Sequence, residues 1–386
     1  MLELLWFLLP VAAASGWYLA RRSVDVKEAV PDSNTSADCY KGINYLLNDQ
    51  PDKAVELFTR LFNVNRDTLD THIAIGSLFR RRGEVDRAIR IHQHLLNQTS
   101  LPQAQRHVVQ LELGHDFLKA GLLDRAEKVL TDLLDMDAQN EVALNLLVRV
   151  YQQEKDWDQA IAVLRRLPST TARPQVLAQY YCELADVASA RRDYDTALRR
   201  VEQALQADPA CARASLIEGR VRAAGGDFVQ AINAYKRVRE QNTAYIGEII
   251  EPLVECYYKL GQPASVIDFL EEVVKVYGNV RGALALTELH RERNGAQDAA
   301  VFLSHFLSQR PSMVGLIHLI ELHREETTGE LRDTLRVLRN ALERMAERKP
   351  RYKCRQCGFG GKSLHWMCPS CTSWESLRPI ELIQED

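Results

Sequence analysis

The 386-residue chain is expected to fold as an all-α solenoid of stacked helical hairpins. A transmembrane helix should precede it, and a small four-cysteine metal ribbon should follow it. Three observations predict this: an apolar run over residues 2–20, a small residue that returns at a near-constant spacing between 38 and 347, and two Cys-x-x-Cys pairs. Whole-chain figures hide these features. Lys+Arg number 49 against 52 Asp+Glu for a net charge of −3, with 46% hydrophobic and 26% charged residues. Those are the averages of a soluble globular protein and argue against a disordered or polytopic membrane chain. A basic footprint for nucleic acid is absent from the chain as a whole.

Residues 1–20 read as a membrane anchor. The run LELLWFLLPVAAASGWYLA is apolar apart from Glu3, Ser15 and Gly16, and Arg21 and Arg22 follow it. Twenty helical residues rise about 30 Å, enough to cross the hydrocarbon core. Pro10 is tolerated in such a helix, and Trp17 and Tyr18 fall where interfacial aromatics belong. Positive charge just after the span favours the cytoplasm for everything C-terminal to it. Two alternatives stand beside the anchor. A cleaved signal peptide would want early positive charge, where this chain has Glu3, although AAAS offers a weak cleavage site. A buried core helix is seldom apolar all round. Ala12–Gly16 form a small-residue face suited to close helix contact, and residues 21–37 form a polar cytoplasmic linker.

From 38 to 347 the chain repeats. The pattern G-x-x-x-x-A occurs at Gly83/Ala88, Gly121/Ala126, Gly226/Ala231 and Gly295/Ala300. Alignment on the alanine gives Ala54, Ala88, Ala126, Ala160, Ala197, Ala231, Val266, Ala300 and Thr334, almost evenly spaced. Twelve positions before the early alanines sit Gly42, Gly76 and Gly114. Four positions after the alanine comes a large side chain, including Phe58, His92, Leu130, Leu164, Tyr235 and Leu270. Small residues let two helices approach, and the large one fills the next gap. About nine such units, each roughly 34 residues long, resemble the tetratricopeptide repeat. Its antiparallel helices A and B stack into a superhelix with a groove lined by helix A.

Arg80, Arg149, Arg213 and Arg220 fall on helix-A positions facing that groove. Two roles are open to them: holding an acidic peptide or a partner's helix, or standing as solvated arginines with local carboxylate neighbours. No phosphate loop, dinucleotide fingerprint, nucleophile elbow or H-E-x-x-H occurs, so the chain is not expected to be an enzyme.

Residues 351–376 hold the sharpest chemical motif. Cys354-x-x-Cys357 and Cys368-x-x-Cys371 place two thiolates on each of two tight turns, enough to close a tetrahedron around one ion. Gly358 and Pro369 suit those turns, and Tyr352, Phe359, Trp366 and Trp374 would supply a miniature core. The spacing looks like a rubredoxin-type or zinc-ribbon module. Four thiolates suit iron or zinc alike, and the site is structural or, as in rubredoxins, an electron carrier. The other four cysteines (Cys39, Cys182, Cys211 and Cys256) are scattered and read as small buried hydrophobes. Arg351, Lys353, Arg355 and Lys362 make the ribbon locally basic, and its expected seat is the last repeats.

Taken together, MLELLWFLLPVAAASGWYLARRS, GSLFRRRGEVDRAIRIHQHLL and KPRYKCRQCGF…W-x-CPSC are similar to the lipopolysaccharide assembly protein B family of Gram-negative bacteria. That resemblance spans the chain from Met1 to the ribbon. It implies a cytoplasm-facing inner-membrane adaptor that regulates lipopolysaccharide synthesis. Such an adaptor acts with the membrane-bound AAA protease FtsH to promote turnover of the committed-step lipid A deacetylase, and gathers other lipopolysaccharide enzymes at the membrane. The family's metal ligands fall on Cys354, Cys357, Cys368 and Cys371.

Overall fold

The computed structural model describes residues 66–380, except 99–100 and 169–172, together with scattered positions from 40 to 57. The anchor over 1–20 and the linker over 21–37 lie outside the described residues, as does Cys39. No helix among the described residues is long and apolar enough to cross a membrane. The chain divides into two compact units, Met1–Glu154 and Lys155–Asp386.

The first unit contains α1 (Arg66–Arg81), α2 (Val85–Leu96), α3 (Gln103–Ala120), α4 (Leu123–Met136) and α5 (Glu141–Glu154). Its core includes Ala54, Phe79, Ala88, Leu95 and Val109. Tight helix crossings explain the repeating glycines. A Cβ built on Gly76 would lie 2.4 Å from the His92 ring, and one on Gly114 would lie 2.8 Å from Leu130. The glycine of helix A thus meets the large residue four after the alanine of helix B, the pairing that the spacing predicts.

The second unit begins at α6 (Trp157–Leu164). It continues through α7 (Pro174–Ala190), α8 (Tyr194–Ala207), α9 (Ala212–Ala224) and α10 (Phe228–Gln241). A 3-10 turn, Thr243–Tyr245, leads into α11 (Ile246–Lys259), and a second one, Pro263–Val266, into α12 (Ile267–Glu272). After these come α13 (Val280–Asn294), α14 (Ala296–Gln309), α15 (Met313–Glu326) and α16 (Glu330–Arg348). Gly219 repeats the crossing of the first unit, because its added Cβ would lie 2.4 Å from the Tyr235 ring. The periodic pattern fades where the helices change: α12 is short and runs into a π turn at Val273–Tyr277, and α16 buries none of its side chains.

Turn chemistry accounts for the glycine of G-x-x-x-x-A. Gly121 and Gly226 follow helix A with φ of +74° and +83°, a left-handed conformation that costs glycine nothing. Lys155 and Arg192 adopt the same conformation where no glycine is present, with φ of +60° and +61°. After Lys155, Arg192 and Gly226 the next helix starts on an aspartate. Asp156, Asp193 and Asp227 accept hydrogen bonds from the backbone N–H of Gln159, Thr196 and Gln230 at 3.1, 3.1 and 3.2 Å. Each satisfies an N–H that the first helical turn leaves without a partner. An aromatic follows each cap (Trp157, Tyr194 and Phe228), so Asp-aromatic is a second helix-B signal alongside the alanine.

Candidate metal centre and its seat on the repeats

After α16 the chain turns at Lys349–Pro350 into a three-stranded antiparallel sheet. Its strands are β1 (Tyr352–Cys354), β2 (Gly360–Gly361) and β3 (Leu377–Pro379), in the order β2-β1-β3. The two cysteine turns are built alike. The N–H of Gly358 donates to the Cys354 carbonyl at 3.0 Å, and that of Thr372 donates to the Cys368 carbonyl at 2.9 Å. Both turns end on a left-handed residue, Gly358 at φ +79° and Thr372 at φ +56°.

This symmetry gathers the sulfurs. Sγ atoms of Cys354, Cys357, Cys368 and Cys371 all lie within 4.8 Å of one another. Cys354–Cys371 is 3.7 Å and Cys357–Cys368 is 3.6 Å. Metal–sulfur bonds of about 2.3 Å in a tetrahedron place the sulfurs about 3.8 Å apart, so the observed edges fit one ion. Local groups favour thiolate at two positions. The Ser376 hydroxyl beside Cys354 draws its thiol down to about 6, helped by the backbone amides of Cys357 and Gln356. Ser373 lowers Cys371, whereas burial pushes Cys368 up to about 11. A bound cation would deprotonate all four outright. With four sulfurs on one ion, no position stays open for a substrate.

The ribbon's own core is Tyr352, Cys354, Cys368 and Leu377, with Phe359 and Leu364 against it. The sequence expectation of a four-aromatic core is corrected here: Trp366 and Trp374 face the repeats. Trp374 meets Trp157 and Tyr180 edge-on at 6.1 and 5.9 Å, and Trp366 lies 4.8 Å from the Tyr245 ring. A ribbon this short has too little interior to enclose two indoles, so the solenoid covers them.

The expected seat on the last repeats is only part of the docking surface, which also takes in earlier units. Ribbon contacts run from Trp157 of α6 to Arg281 of α13, on helix-A residues such as Gln179 and on Asn242 and Tyr245 at the turn between α10 and α11. Gln179 Nε2 donates to Glu375 at 2.7 Å, and the Tyr245 hydroxyl donates to the Leu377 carbonyl at 3.2 Å. The Tyr352 hydroxyl donates to Glu248 at 2.9 Å and accepts from Arg281 at 3.3 Å. The last helix offers no buried surface to dock on, while these earlier helices present aromatic rings. A sequence signal for this seat exists but is faint: Gln179, Arg213, Tyr245 and Arg281 recur with nearly the repeat period.

The four groove arginines separate. Arg80 donates to Asp116 at 2.8 Å and to Glu112 at 2.7 Å. Arg213 is 4% exposed and donates to Glu183 and Asp186 at 2.9 and 2.8 Å, with its guanidinium 5.7 Å from the Trp366 ring centre. Arg220 bonds the same Asp186 at 2.5 Å but stays 63% exposed, and Arg149 is exposed. Arg80 and Arg213, the two with the least exposure, are therefore matched by carboxylates of a neighbouring A helix.

Glu375 gives the docked ribbon a pH dependence. Burial raises its carboxyl pKa, Asp208 adds to the rise, and Arg378, Arg213 and Gln179 offset part of it. A carboxyl raised on folding adds stability that is complete below its unfolded value, about 4.3, and is lost as pH rises through the folded value. Replacing Glu375→Gln is therefore expected to raise the melting temperature at neutral pH. The gain should shrink as pH falls and vanish below about 4.3. Thermal melts of both proteins across this range check the sign, and a gain independent of pH would contradict it.

Family models and full-length relatives agree with this architecture. A family model described as a rubredoxin metal binding domain matches residues 352–379. Tetratricopeptide repeat models match 71–106, 117–179 and 182–245. A MamA crystal structure is 22% identical over 47% of this chain and 94% of its own, with a TM-score of 0.34. Lipopolysaccharide assembly protein B of Escherichia coli K12 is 38% identical over 98% of both chains. This chain belongs to the lipopolysaccharide assembly protein B family. The Haemophilus influenzae member is 34% identical, again over 98% of both chains. Family membership therefore covers the repeats and the ribbon together, and the fold is a tetratricopeptide solenoid carrying a four-cysteine ribbon.

Proposed function

We propose that this chain is a cytoplasm-facing inner-membrane adaptor that regulates lipopolysaccharide synthesis. It promotes FtsH-dependent proteolysis of the committed-step lipid A deacetylase and organises other lipopolysaccharide enzymes. The observation that carries this reading is similarity over 98% of the chain to relatives named for lipopolysaccharide assembly. Residues 1–20 act as the single-pass anchor, which raises the effective concentration of the solenoid near membrane-bound partners. Cys354, Cys357, Cys368 and Cys371 hold one iron or zinc ion, whose role is to fold the ribbon. Arg149, and Arg220 with the exposed part of its side chain beyond Asp186, are the groove residues offered to an acidic partner segment. The test is the half-life of the deacetylase in cells lacking this chain, and in cells carrying Arg149→Glu with Arg220→Glu. Loss of the chain is expected to lengthen the half-life, and the double reversal to lengthen it in part. An unchanged half-life without the chain overturns the adaptor role; an unchanged one in the double variant overturns only the groove contact.

A further inference from the structure

A cavity of about 620 Å³ opens at the seam between ribbon and repeats. Four cationic side chains line it: Arg310 from the end of α14, Lys353 of β1, Arg355 and Arg378 of β3. No aspartate or glutamate is among its lining residues. Several arginines elsewhere in this unit are matched by acids (Arg213, Arg237, Arg239, Arg281 and Arg291 each have a carboxylate oxygen within 4 Å), while Arg165 and Arg199 donate to the hydroxyls of Tyr181 and Thr196. Among the described residues none of the four cavity cations forms such a pair.

Two of them are nevertheless held in place, by neutral groups. Arg310 Nη1 donates to the Tyr277 carbonyl at 3.2 Å, and its head fills the space over Gly278, where an added Cβ would lie 1.3 Å from that nitrogen. Arg378 Nη1 donates to Asn242 Oδ1 at 3.0 Å, and its guanidinium lies 4.8 Å from the Tyr245 ring centre. Gathering four cations in one cavity opposes folding, and the nearby Glu375 carboxyl, which interacts with Arg378, offsets only part of their charge. A divalent ion on four thiolates would carry a net charge of −2, and with Glu375 beside Arg378 the four positive charges are still not fully offset. Ordered guanidinium forks suit the geometry of phosphate oxygens, and a polyvalent anion offsets several cations at once.

From the cavity's charge and from the neutral anchoring of its arginines, we infer that this seam binds the phosphate group of a small ligand, either a soluble phosphate ester or an anionic lipid headgroup. A ligand there would touch ribbon and repeats together and tighten their contact.

Calorimetric titration of the full-length, metal-loaded chain in detergent tests this. Inorganic pyrophosphate probes the soluble source, and short-chain phosphatidylglycerol against short-chain phosphatidylcholine probes the lipid source. Saturable binding to one site is expected, and the probe bound identifies the source. Arg310→Gln should weaken it about ten-fold, as loss of a hydrogen bond to a charged group does. Because Arg310 also braces the Tyr277 turn, Lys353→Gln with Arg355→Gln is the second variant; both side chains are exposed. It should weaken binding comparably, with metal content unchanged and the melting temperature not lowered. No saturable binding of either probe, or equal affinity in the variants, overturns the inference. Binding that emerges only after removal of residues 381–386 also overturns it, by making the chain's own acidic end the occupant.

Discussion

Cys368→Ser is expected to abolish metal binding and unfold the ribbon while leaving the solenoid helical. Cys368 is fully buried and sits 3.6 Å from Cys357. A serine hydroxyl there is a hard, protonated donor and does not replace a thiolate. Structural zinc contributes about 10–16 kcal/mol of apparent binding free energy in zinc-finger peptides at neutral pH. That exceeds what a core of Tyr352 and Leu377 with two cysteines supplies. Elemental analysis should fall from one ion per chain to background, and hydrogen exchange over 352–379 should become unprotected. Retention of metal and of protection would show that the four-sulfur assignment is wrong.

Trp366→Ala combined with Trp374→Ala separates docking from metal binding. These two indoles bridge the ribbon to Tyr245, Tyr180 and Trp157. Truncating a buried tryptophan costs about 3–5 kcal/mol, and partial exposure of both places each near the low end. The double variant should keep its metal, because neither side chain belongs to the ribbon core. It should also become sensitive to protease at 349–351, where the chain enters the ribbon. A docked, protease-resistant ribbon in this variant would contradict the aromatic seat. If docking serves the proposed adaptor role, the double variant and Cys368→Ser should lengthen the deacetylase half-life in cells to the same extent.

Comparison of these sites shows which kinds of information a sequence holds. The cysteine turns were legible because four cysteines and a turn glycine, Gly358, all lie within one short segment, 352–379. The helix crossings were legible because Gly76 meets His92 and Gly114 meets Leu130 at a fixed sequence distance. Trp366 and Trp374 were misassigned to the ribbon core because apolar character does not say which of two surfaces will cover a ring. Arg80 and Arg213 showed charge but not pairing, since Glu112, Asp116, Glu183 and Asp186 lie about one repeat away along the chain.

By itself the sequence determined the repeated hairpin and the two Cys-x-x-Cys turns, because helical period and tight cysteine turns are local constraints. Tertiary structure decided where the ribbon sits, which arginines are matched and which stay bare at the seam. Those outcomes depend on side chains as far apart in the chain as Arg80 from Asp116 or Gln179 from Glu375. Their burial and electrostatics are set only when the folded helices bring them together.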